Sequence, residues 1–234
     1  MTYRKKFSVI VPVLYEEKYI EELIKNLKAL PPKLEIIIVS SSEDDKTVDI
    51  ARRYLDKVYV INKRGISRAR NFGAKKAEGE ILLFIDADVR LPKNTIDVLE
   101  KTFSEEGVVG ATCKIMPSTP NLKERAFFIF YNMLLRLSSL FKPHARGEFL
   151  AVRKDAFLRI GGFNEELSCL EDHDLAMRIS KIGHFKFIDE LTVYESMRRF
   201  HKWGFLKVLD IWVKNYLSYI IRGRPVSATW QPVR

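Results

Sequence analysis

Glu80-Ile81-Leu82-Leu83-Phe84-Ile85-Asp86-Ala87-Asp88 is the stretch that decides the fold of this 234-residue chain. Its apolar run lies between Gly79 and Asp86, a pattern typical of a central strand covered on both faces. Asp86 and Asp88 are two residues apart, so a continuing extended backbone would point both carboxylates to one side. Because open α/β sheets bind ligands at the carboxyl ends of their strands, the pair suits Mg²⁺ or Mn²⁺ carrying a phosphate. The same spacing also occurs in turns and helix caps.

Strands and helices alternate through the first half of the chain. The apolar patterns predict strands at Phe7–Val11, Leu34–Val39, Lys57–Ile61 and Ile81–Ile85. They predict helices at Glu16–Leu30, after Asp45 through Tyr54, and from Gly65 and Ile66 to Ala77. This order predicts an α/β fold whose sheet is mostly parallel and joined by right-handed crossovers.

The second half has a different composition, with a shift near Pro117 to Asn121. We predict helices at Asn94–Phe103, Asp155–Ile160 and Asp172–Ile182, strands at Val108–Cys113, Glu148–Val152 and Phe185–Ile188, and a final amphipathic helix at His201–Ile221. The chain therefore divides into a domain at 1–204, with halves 1–116 and 117–204, and a C-terminal helix and tail at 205–234.

The net charge of +10 predicts an anionic partner, and 47% hydrophobic residues place the chain among globular proteins. The basic residues are scattered and interleaved with acids, which argues against nucleic acid. Cys113 and Cys169 lack a partner motif, so a reducing, cytoplasmic location is expected. The sequence contains neither a secretory signal pattern nor a run of about 20 apolar residues that would span a bilayer.

Six motifs follow one another in a specific order. They are Ser8-Val9-Ile10-Val11-Pro12 before Glu16-Glu17, Gly65 to Gly73, Asp86-Ala87-Asp88, Gly161-Gly162-Phe163, Glu171-Asp172-His173-Asp174-Leu175, and Arg198 to Gly204. This order and spacing resemble the family 2 glycosyltransferases, inverting enzymes with the GT-A fold. The resemblance covers the chain from about Phe7 to Gly204. It implies a GT-A-type mostly parallel central sheet flanked by helices.

The resemblance implies a nucleoside-diphosphate sugar as donor and a divalent metal, Mg²⁺ or Mn²⁺, at Asp88 and Asp86. In the family the first Asp also reaches the ribose, and the second is the steadier metal ligand. By this analogy the donor contacts are Pro12, Glu16, Ser40, Ser41, Gly65, Arg68, Asn71, Asp86, Arg198 and Arg199. His201 becomes a further metal or phosphate ligand. The alternative for the Asp pair is a cap on the turn at Val89-Arg90.

The catalytic carboxylates implied by the resemblance are Asp172, as general base, and Glu171, which helps to orient the acceptor. Single-displacement inversion needs one carboxylate to take the acceptor proton as its oxygen attacks the anomeric carbon. Asp174 is the alternative base. Asp172 and Asp174 at the start of a helix could equally serve as capping charges.

Three departures from the family pattern affect the donor and the mode of transfer. Tyr15 stands where the family has Asn before Glu16, and Ser40-Ser41-Ser42-Glu43 replaces the usual Asp-Asp-Gly-Ser. Asp44 or Asp45 could substitute for the missing nucleobase contact, and uracil, guanine and thymine all stay open. Lys202-Trp203 departs from the Gln-x-x-Arg-Trp pattern of processive members, which favours a single-transfer enzyme.

Two apolar segments bear on the acceptor, Phe127–Phe141 and Phe205–Ile221. Their wide apolar faces fit either core packing, a dimer seam, or a helix lying in a membrane interface. The last option predicts peripheral membrane contact, at the inner face of the cell membrane, and suits a lipid-linked acceptor as an alternative to a free sugar.

Two other functions compete with a sugar transferase. A nucleotidyltransferase can have a similar sheet and paired carboxylates, but Tyr15-Glu16-Glu17 is acidic where such an enzyme needs a basic, Gly-rich triphosphate loop. A non-catalytic nucleotide-sugar or polyanion binder would be consistent with the missing Asp at Ser40-Ser41.

Overall fold

The computed structural model describes residues 7–30, 34–139 and 141–227. The basic N-terminus at 1–6 and the end of the predicted tail at 228–234 lie outside this part. The described strands are β1 (Phe7–Val13), β2 (Glu35–Ser40), β3 (Val58–Val60), β4 (Ile81–Phe84), β5 (Val89–Arg90), β6 (Val108–Pro117), β7 (Leu150–Arg153) and β8 (His184–Glu195). The described helices are α1 (Ile20–Lys28), α2 (Lys46–Arg52), α3 (Ile66–Lys76), α4 (Thr95–Ser104), α5 (Leu122–Ser139), α6 (Lys154–Arg159), α7 (Glu171–Ile179), α8 (Arg198–Trp203) and α9 (Phe205–Arg222).

All eight described strands join one mixed sheet in the order β3-β2-β1-β4-β7-β6-β8-β5. The first-half strands pair in parallel, β3 with β2, β2 with β1, and β1 with β4, as the sequence predicts. Strand β7 then pairs antiparallel with both β4 and β6, while β8 pairs parallel with β6. The α/β fold class is therefore confirmed, and the antiparallel β7 lies between β4 and β6 and so makes the eight strands one sheet.

Helix α3 packs closely on the sheet because it presents small residues there. A Cβ placed on Gly73 would lie 2.5 Å from the Ile10 side chain of β1, so only glycine permits this approach. Ser67, Ala69 and Ala74 of the same helix are also buried. The close packing allows α3 to carry Arg70 beneath the carboxyl ends of β1 and β4.

From the end of β4 onward, several elements differ from the predicted ones. Strand β8 covers twelve residues rather than the four predicted at Phe185–Ile188, because a register shift against β6 accommodates Asp189 to Leu191 and pairing resumes at Thr192. The short edge strand β5 was not predicted. The predicted single helix at His201–Ile221 is two helices, since Gly204 has φ +82° and interrupts the helical backbone.

Within the described residues, no helix has both the length and the apolar character that a bilayer span requires.

Candidate active site

The two aspartates at the end of β4 lie in a turn, and each has its own arginine. Strand β4 ends at Phe84, and the turn includes Asp88 before β5 begins. Asp86 accepts from Arg70 Nη2 at 2.9 Å, whereas Asp88 pairs with Arg198 Nε at 2.8 Å. Because the extended backbone stops after β4, the prediction of two carboxylates aligned by strand geometry does not apply, and their partners orient them.

Arg70 is the most deeply placed cation of this site, with a side chain only 1% exposed. Its Nη1 donates to Glu171 Oε1 at 2.7 Å, and its Nη2 donates to Asp86 and to the Gly147 carbonyl at 3.1 Å. The guanidinium also lies over the Phe163 ring, 5.4 Å from its centroid. One side chain therefore connects the end of β4 with the first residue of α7.

Arg198 makes a second bridge, between the loop after β1 and the turn after β4. Its Nη2 donates to Glu16 Oε1 at 2.8 Å while its Nε contacts Asp88. The pKa of Asp88 depends on its burial, on its ion pair with Arg198 and on the nearby carboxylates. Burial and the negative charges of Asp86, Glu16 and Glu148 raise the pKa of Asp88 to about 7, against the opposing effect of Arg198. The structure thus brings together Glu16, Asp88 and Arg198.

Asp172 and Asp174 share the first turn of α7 but differ in their contacts. Asp174 accepts from Arg178 Nε at 2.7 Å and from the Tyr219 hydroxyl at 2.9 Å. Among the described residues, the Asp172 carboxylate accepts only the His173 N–H, at 2.8 Å. Asp174 is therefore occupied in fastening α7 to its surroundings, and Asp172 retains acceptor capacity for a ligand.

Burial, then the negative charge of Glu171, raises the pKa of Asp172 to about 8, although Arg70 opposes the shift. The pKa of Glu171 is also raised, by burial, with Arg70 again opposing. A carboxylate whose pKa lies near neutrality can both take and return a proton at physiological pH. Asp172 therefore has a high affinity for a proton, and its ionised form, which is the form that accepts one, predominates above about pH 8.

A second buried cluster, formed by Arg146, Glu148 and Glu195, was not predicted as part of the site. Arg146 Nη2 lies 2.8 Å from Glu148 and 2.7 Å from Glu195. Burial and the Glu148 charge raise the pKa of Glu195, whereas Arg146 and a hydrogen bond with Glu195 hold the pKa of Glu148 low despite its burial. The only sequence signal was a pair of opposite charges, Arg146 and Glu148, just before a buried strand.

The donor contacts predicted in β1 and at the end of β2 differ in their burial and in their hydrogen-bond partners. Ser40 is buried, and its hydroxyl donates to Asp45 Oδ2 at 2.8 Å, while Asp45 caps α2 through the Thr47 N–H. Asp45 therefore supports the loop at the end of β2. Ser41 is half-buried in that loop, and Pro12 is half-buried in β1.

Around α3, the predicted donor contacts are placed as follows. Gly65 precedes the helix with φ +142°. Arg68 is 41% exposed and pairs with Glu165 at 3.1 Å. Asn71 donates to the Phe163 carbonyl and accepts the Phe163 N–H, each at 2.9 Å, and so fastens the Gly161-Gly162-Phe163 turn to α3. Arg70, between these two predicted residues, was missed. Its signal was its helical spacing with the small residues Ser67, Gly73 and Ala74.

Arg199 and His201 follow Arg198 on α8 and point to different neighbours. The Arg199 guanidinium lies over the Trp203 ring at 5.0 Å, and its pKa is lowered by burial and by Arg198. The His201 ring is 3.0 Å from Glu124 Oε1, with 62% of the side chain exposed. Across the described ranges, no group of three or more His, Cys, Asp or Glu side chains is arranged to hold a metal, so the predicted trio with His201 is not assembled.

The Asp pair nevertheless suits a hard divalent cation. Both aspartates supply carboxylate oxygens, and Mg²⁺ or Mn²⁺ is commonly bound by one or two carboxylates completed with phosphate oxygens and water. Asp88 is also largely buried, and the carboxylates of Asp86, Glu16 and Glu148 lie near enough to raise its pKa, so a cation at the pair would lower the electrostatic repulsion among them. Asp88 and Asp86 are therefore the residues that would hold the metal.

The chain matches the family model described as Glycosyl transferase family 2 over residues 8–161. It is 39% identical over 100 residues to the poly(ribitol-phosphate) β-N-acetylglucosaminyltransferase TarS of Staphylococcus aureus, an overlap of 39% of this chain and 18% of TarS. It is 26% identical over 203 residues to an uncharacterized glycosyltransferase of Rickettsia typhi, covering 82% of this chain and 64% of that protein.

Solved structures show the same fold. A mannosyltransferase of Pyrobaculum calidifontis, in complex with GDP-Man and Mn²⁺, superposes with a TM-score of 0.68 at 27% identity, covering 83% of this chain and 57% of that chain. Residues 1–349 of TarS, in complex with UDP-GlcNAc, give a TM-score of 0.65 at 24% identity, covering 82% of this chain and 58% of that chain. The chain thus spans less than two thirds of the length of each of these relatives.

Proposed function

Because the chain belongs to glycosyl transferase family 2, we propose that it transfers a sugar from a nucleoside-diphosphate sugar to an acceptor hydroxyl, with inversion at the anomeric carbon. The observation that carries this proposal is the position of Arg70. Its guanidinium contacts Asp86, on the donor side, and Glu171, beside the proposed base. A single displacement needs a donor site and a general base, and Arg70 therefore holds these two parts of the site next to each other.

On the acceptor side, Asp172 takes the proton of the attacking hydroxyl as the oxygen–carbon bond forms and the bond to the diphosphate breaks. The sugar moves to the acceptor, and the nucleoside diphosphate leaves with the bonding electrons. Glu171 accepts from Arg70 at 2.7 Å and so stays fixed next to Asp172, where it orients the acceptor. The raised pKa of Asp172 gives it the affinity for a proton that this role requires.

On the donor side, the leaving diphosphate needs positive charge. Asp88 and Asp86 would hold the Mg²⁺ or Mn²⁺, which supplies Lewis-acid stabilisation of the diphosphate. Arg198 and Arg199 lie beside these carboxylates and match phosphate oxygens through their planar guanidinium groups. Mn²⁺ accompanies GDP-Man in the Pyrobaculum relative, which supports this assignment.

The donor contacts at Pro12, Glu16, Ser40, Ser41, Gly65, Arg68 and Asn71 belong to the same proposal. Glu16 acts through Arg198, which it helps to orient. The hydroxyl of Ser40 is engaged with Asp45, so Ser41 is the better placed of the two serines to contact a nucleobase. The departure at Lys202-Trp203 supports a single transfer per encounter. The acceptor in this proposal is a sugar or a lipid-linked molecule.

The test is a thermal shift and donor-hydrolysis series with UDP-, GDP- and dTDP-sugars, each with Mn²⁺ and with EDTA. We expect one donor to raise the melting temperature only when Mn²⁺ is present, and Asp88→Ala to remove that effect. Asp56→Ala is the matched control, because Asp56 is an exposed carboxylate between α2 and β3. Donor binding without turnover or transfer would instead identify a non-catalytic binder, and activity on nucleoside triphosphates would identify a nucleotidyltransferase.

A further inference from the structure

The large apolar side chains that the described residues expose are concentrated on two helices. Twelve of fifteen lie on α5, on α9, or at Phe141 just after α5. On α5 and its extension they are Leu122, Ile129, Phe130, Met133, Leu134, Leu137 and Phe141, and on α9 they are Leu206, Val213, Leu217, Ile220 and Ile221. Single exposed apolar residues are ordinary, but a contiguous set of this size marks an interaction surface.

Both helices depart from the usual amphipathic arrangement, because each buries an asparagine while it exposes large apolar side chains. Asn132 of α5 is buried, and its amide exchanges hydrogen bonds with the backbone of Ile115 in β6, at 2.8 and 3.1 Å. Asn215 of α9 is 2% exposed and bonds Ser227 through both its donor and its acceptor. Each helix thus turns one asparagine inward, while several of its Leu, Ile and Phe side chains point outward. This arrangement favours an apolar environment outside the helices.

The two helices meet through large aromatic side chains, and their contacts advance in the same direction along both helices. Phe127 meets Phe205 at 4.5 Å between ring centroids, and further along both helices Tyr131 meets Trp212 at 5.6 Å. Their inner aromatic faces are therefore joined, which leaves the outward rows on neighbouring helices. We call the exposed apolar residues of this helix pair the α5/α9 face.

The segments that carry the α5/α9 face also carry most of the net charge. Residues 121–142 and 205–227 contain eight Lys and Arg against two acidic residues, so six of the ten net positive charges of the chain lie there. Lys123, Arg125, Lys207 and Arg222 are exposed on or beside the helices. An apolar surface flanked by basic side chains complements the headgroup region of an anionic membrane.

We propose that the α5/α9 face docks on an anionic membrane surface, with its apolar side chains in the interface and its basic residues among the lipid phosphates. A second copy of the chain is a weaker candidate, because a two-fold contact through this face would bring two basic rims together. A membrane supplies the opposite charge.

The docking surface is coupled to the proposed base through α9. The Tyr219 hydroxyl donates to Asp174 at 2.9 Å, and the Tyr216 and Tyr219 rings pack on His173, so α9 lies directly against α7. Asp172 is the neighbour of these residues on α7. A docked enzyme would hold its base near the membrane, which suits an acceptor carried by a lipid. This last step rests on the proposed function, whereas docking does not.

Docking is tested by co-sedimentation of the whole chain with vesicles of phosphatidylcholine alone and with added phosphatidylglycerol, at low and at high salt. We expect binding to the anionic vesicles that weakens about tenfold or more without phosphatidylglycerol and decreases as salt is added. Absence of binding to the anionic vesicles at low salt overturns the proposal. This wild-type measurement does not depend on any variant folding correctly.

The matched variants are Phe130→Asp with Leu217→Asp, on the face, and Leu158→Asp, which changes an equally exposed leucine on α6. The double variant should lose about tenfold or more of the vesicle affinity, and Leu158→Asp should bind as the wild type does. Equal losses in both would contradict a specific face. If sedimentation velocity instead shows a dimer that only the double variant dissociates, the face is a contact between copies and the proposal fails.

Donor binding, measured by thermal shift with Mn²⁺ and the sugar nucleotide, separates the two proposals. If the proposed function fails, the vesicle experiment still tests docking, because it uses no donor. If docking fails, donor binding and transfer to water-soluble acceptors still test the proposed function, because neither measurement uses a membrane.

Discussion

Arg70 and Arg198 each hold an aspartate of the turn after β4, but in very different surroundings. Arg70 lies within α3 with a 1% exposed side chain, and it joins Asp86, Glu171 and the Gly147 carbonyl. Arg198 begins α8 with 19% of its side chain exposed, and it joins Asp88 with Glu16. The comparison indicates that Asp86 belongs to a fixed framework, and we expect a metal ion to compete with Arg198 for Asp88.

Removing the buried arginine should have the largest effect. Arg70→Ala leaves Asp86 and Glu171 without their cation in a buried setting, and breaking a buried pair from one side costs about 3–5 kcal/mol. We expect the free energy of unfolding, measured in urea, to decrease by about that amount and transfer to be lost. A decrease below about 1 kcal/mol would contradict the framework role.

Replacing the proposed base, Asp172, should lower activity without the loss of stability expected for Arg70→Ala. Asp172→Asn should lower transfer by about 10²–10⁴-fold, the usual contribution of a general base, with donor binding nearly intact. Near-normal transfer in this variant would show that the base is assigned wrongly.

The pH dependence of stability follows from the raised pKa of Asp172, about 8. Below about pH 4 the group is protonated in both folded and unfolded chains, so it costs nothing. As the pH rises from about 4 towards 8, the unfolded chain releases the proton while the folded chain keeps it, and the wild type loses stability. Asp172→Asn has no proton to lose, so we expect it to exceed the wild type in urea resistance by about 1 kcal/mol or more at pH 9, and by less at pH 5.

Removing the partly exposed arginine should change ligand affinity more than stability. Arg198→Ala should lower the unfolding free energy by less than Arg70→Ala does, because the Arg198 side chain is 19% exposed and the Arg70 side chain is 1% exposed. It should strengthen Mn²⁺ binding in calorimetry without donor, because Asp88 loses its competing cation, and weaken binding of the sugar nucleotide. Arg90→Ala is the control, because Arg90 is an exposed arginine two residues from Asp88. Unchanged Mn²⁺ affinity in Arg198→Ala would show that the two cations do not compete.

The smallest effect is expected at Arg68, two residues from Arg70 on the same helix. Arg68 makes an exposed pair with Glu165, and such pairs contribute between about 0.2 and 1 kcal/mol. Arg68→Ala should therefore change urea resistance only slightly. A clear loss of sugar-nucleotide affinity in calorimetry would support its predicted donor contact, and unchanged affinity would remove it from the donor site.

Local sequence patterns predicted the first half of the fold because each of its strands and helices has a clear signal within its own residues. The apolar runs of β1, β2 and β4, the helical spacing of α1 and the glycine before α3 each signal one element. The polar loops at the strand ends then indicate the edge where a ligand binds, which is why Glu16 and Asp88 could be named together. The end of β8 was missed because a bulge against β6, not local periodicity, lets that strand continue.

The sequence by itself determined the α/β class, the order of the motifs and the carboxylates at the end of β4. Only the tertiary structure decided which cation each carboxylate has, since Glu171 is 101 residues from Arg70 and Glu16 is 182 residues from Arg198. It also decided the orientation of α5 and α9, whose apolar residues could have filled a core equally well. Periodicity records which residues share a face of a helix, whereas the packing of the whole chain determines what that face meets.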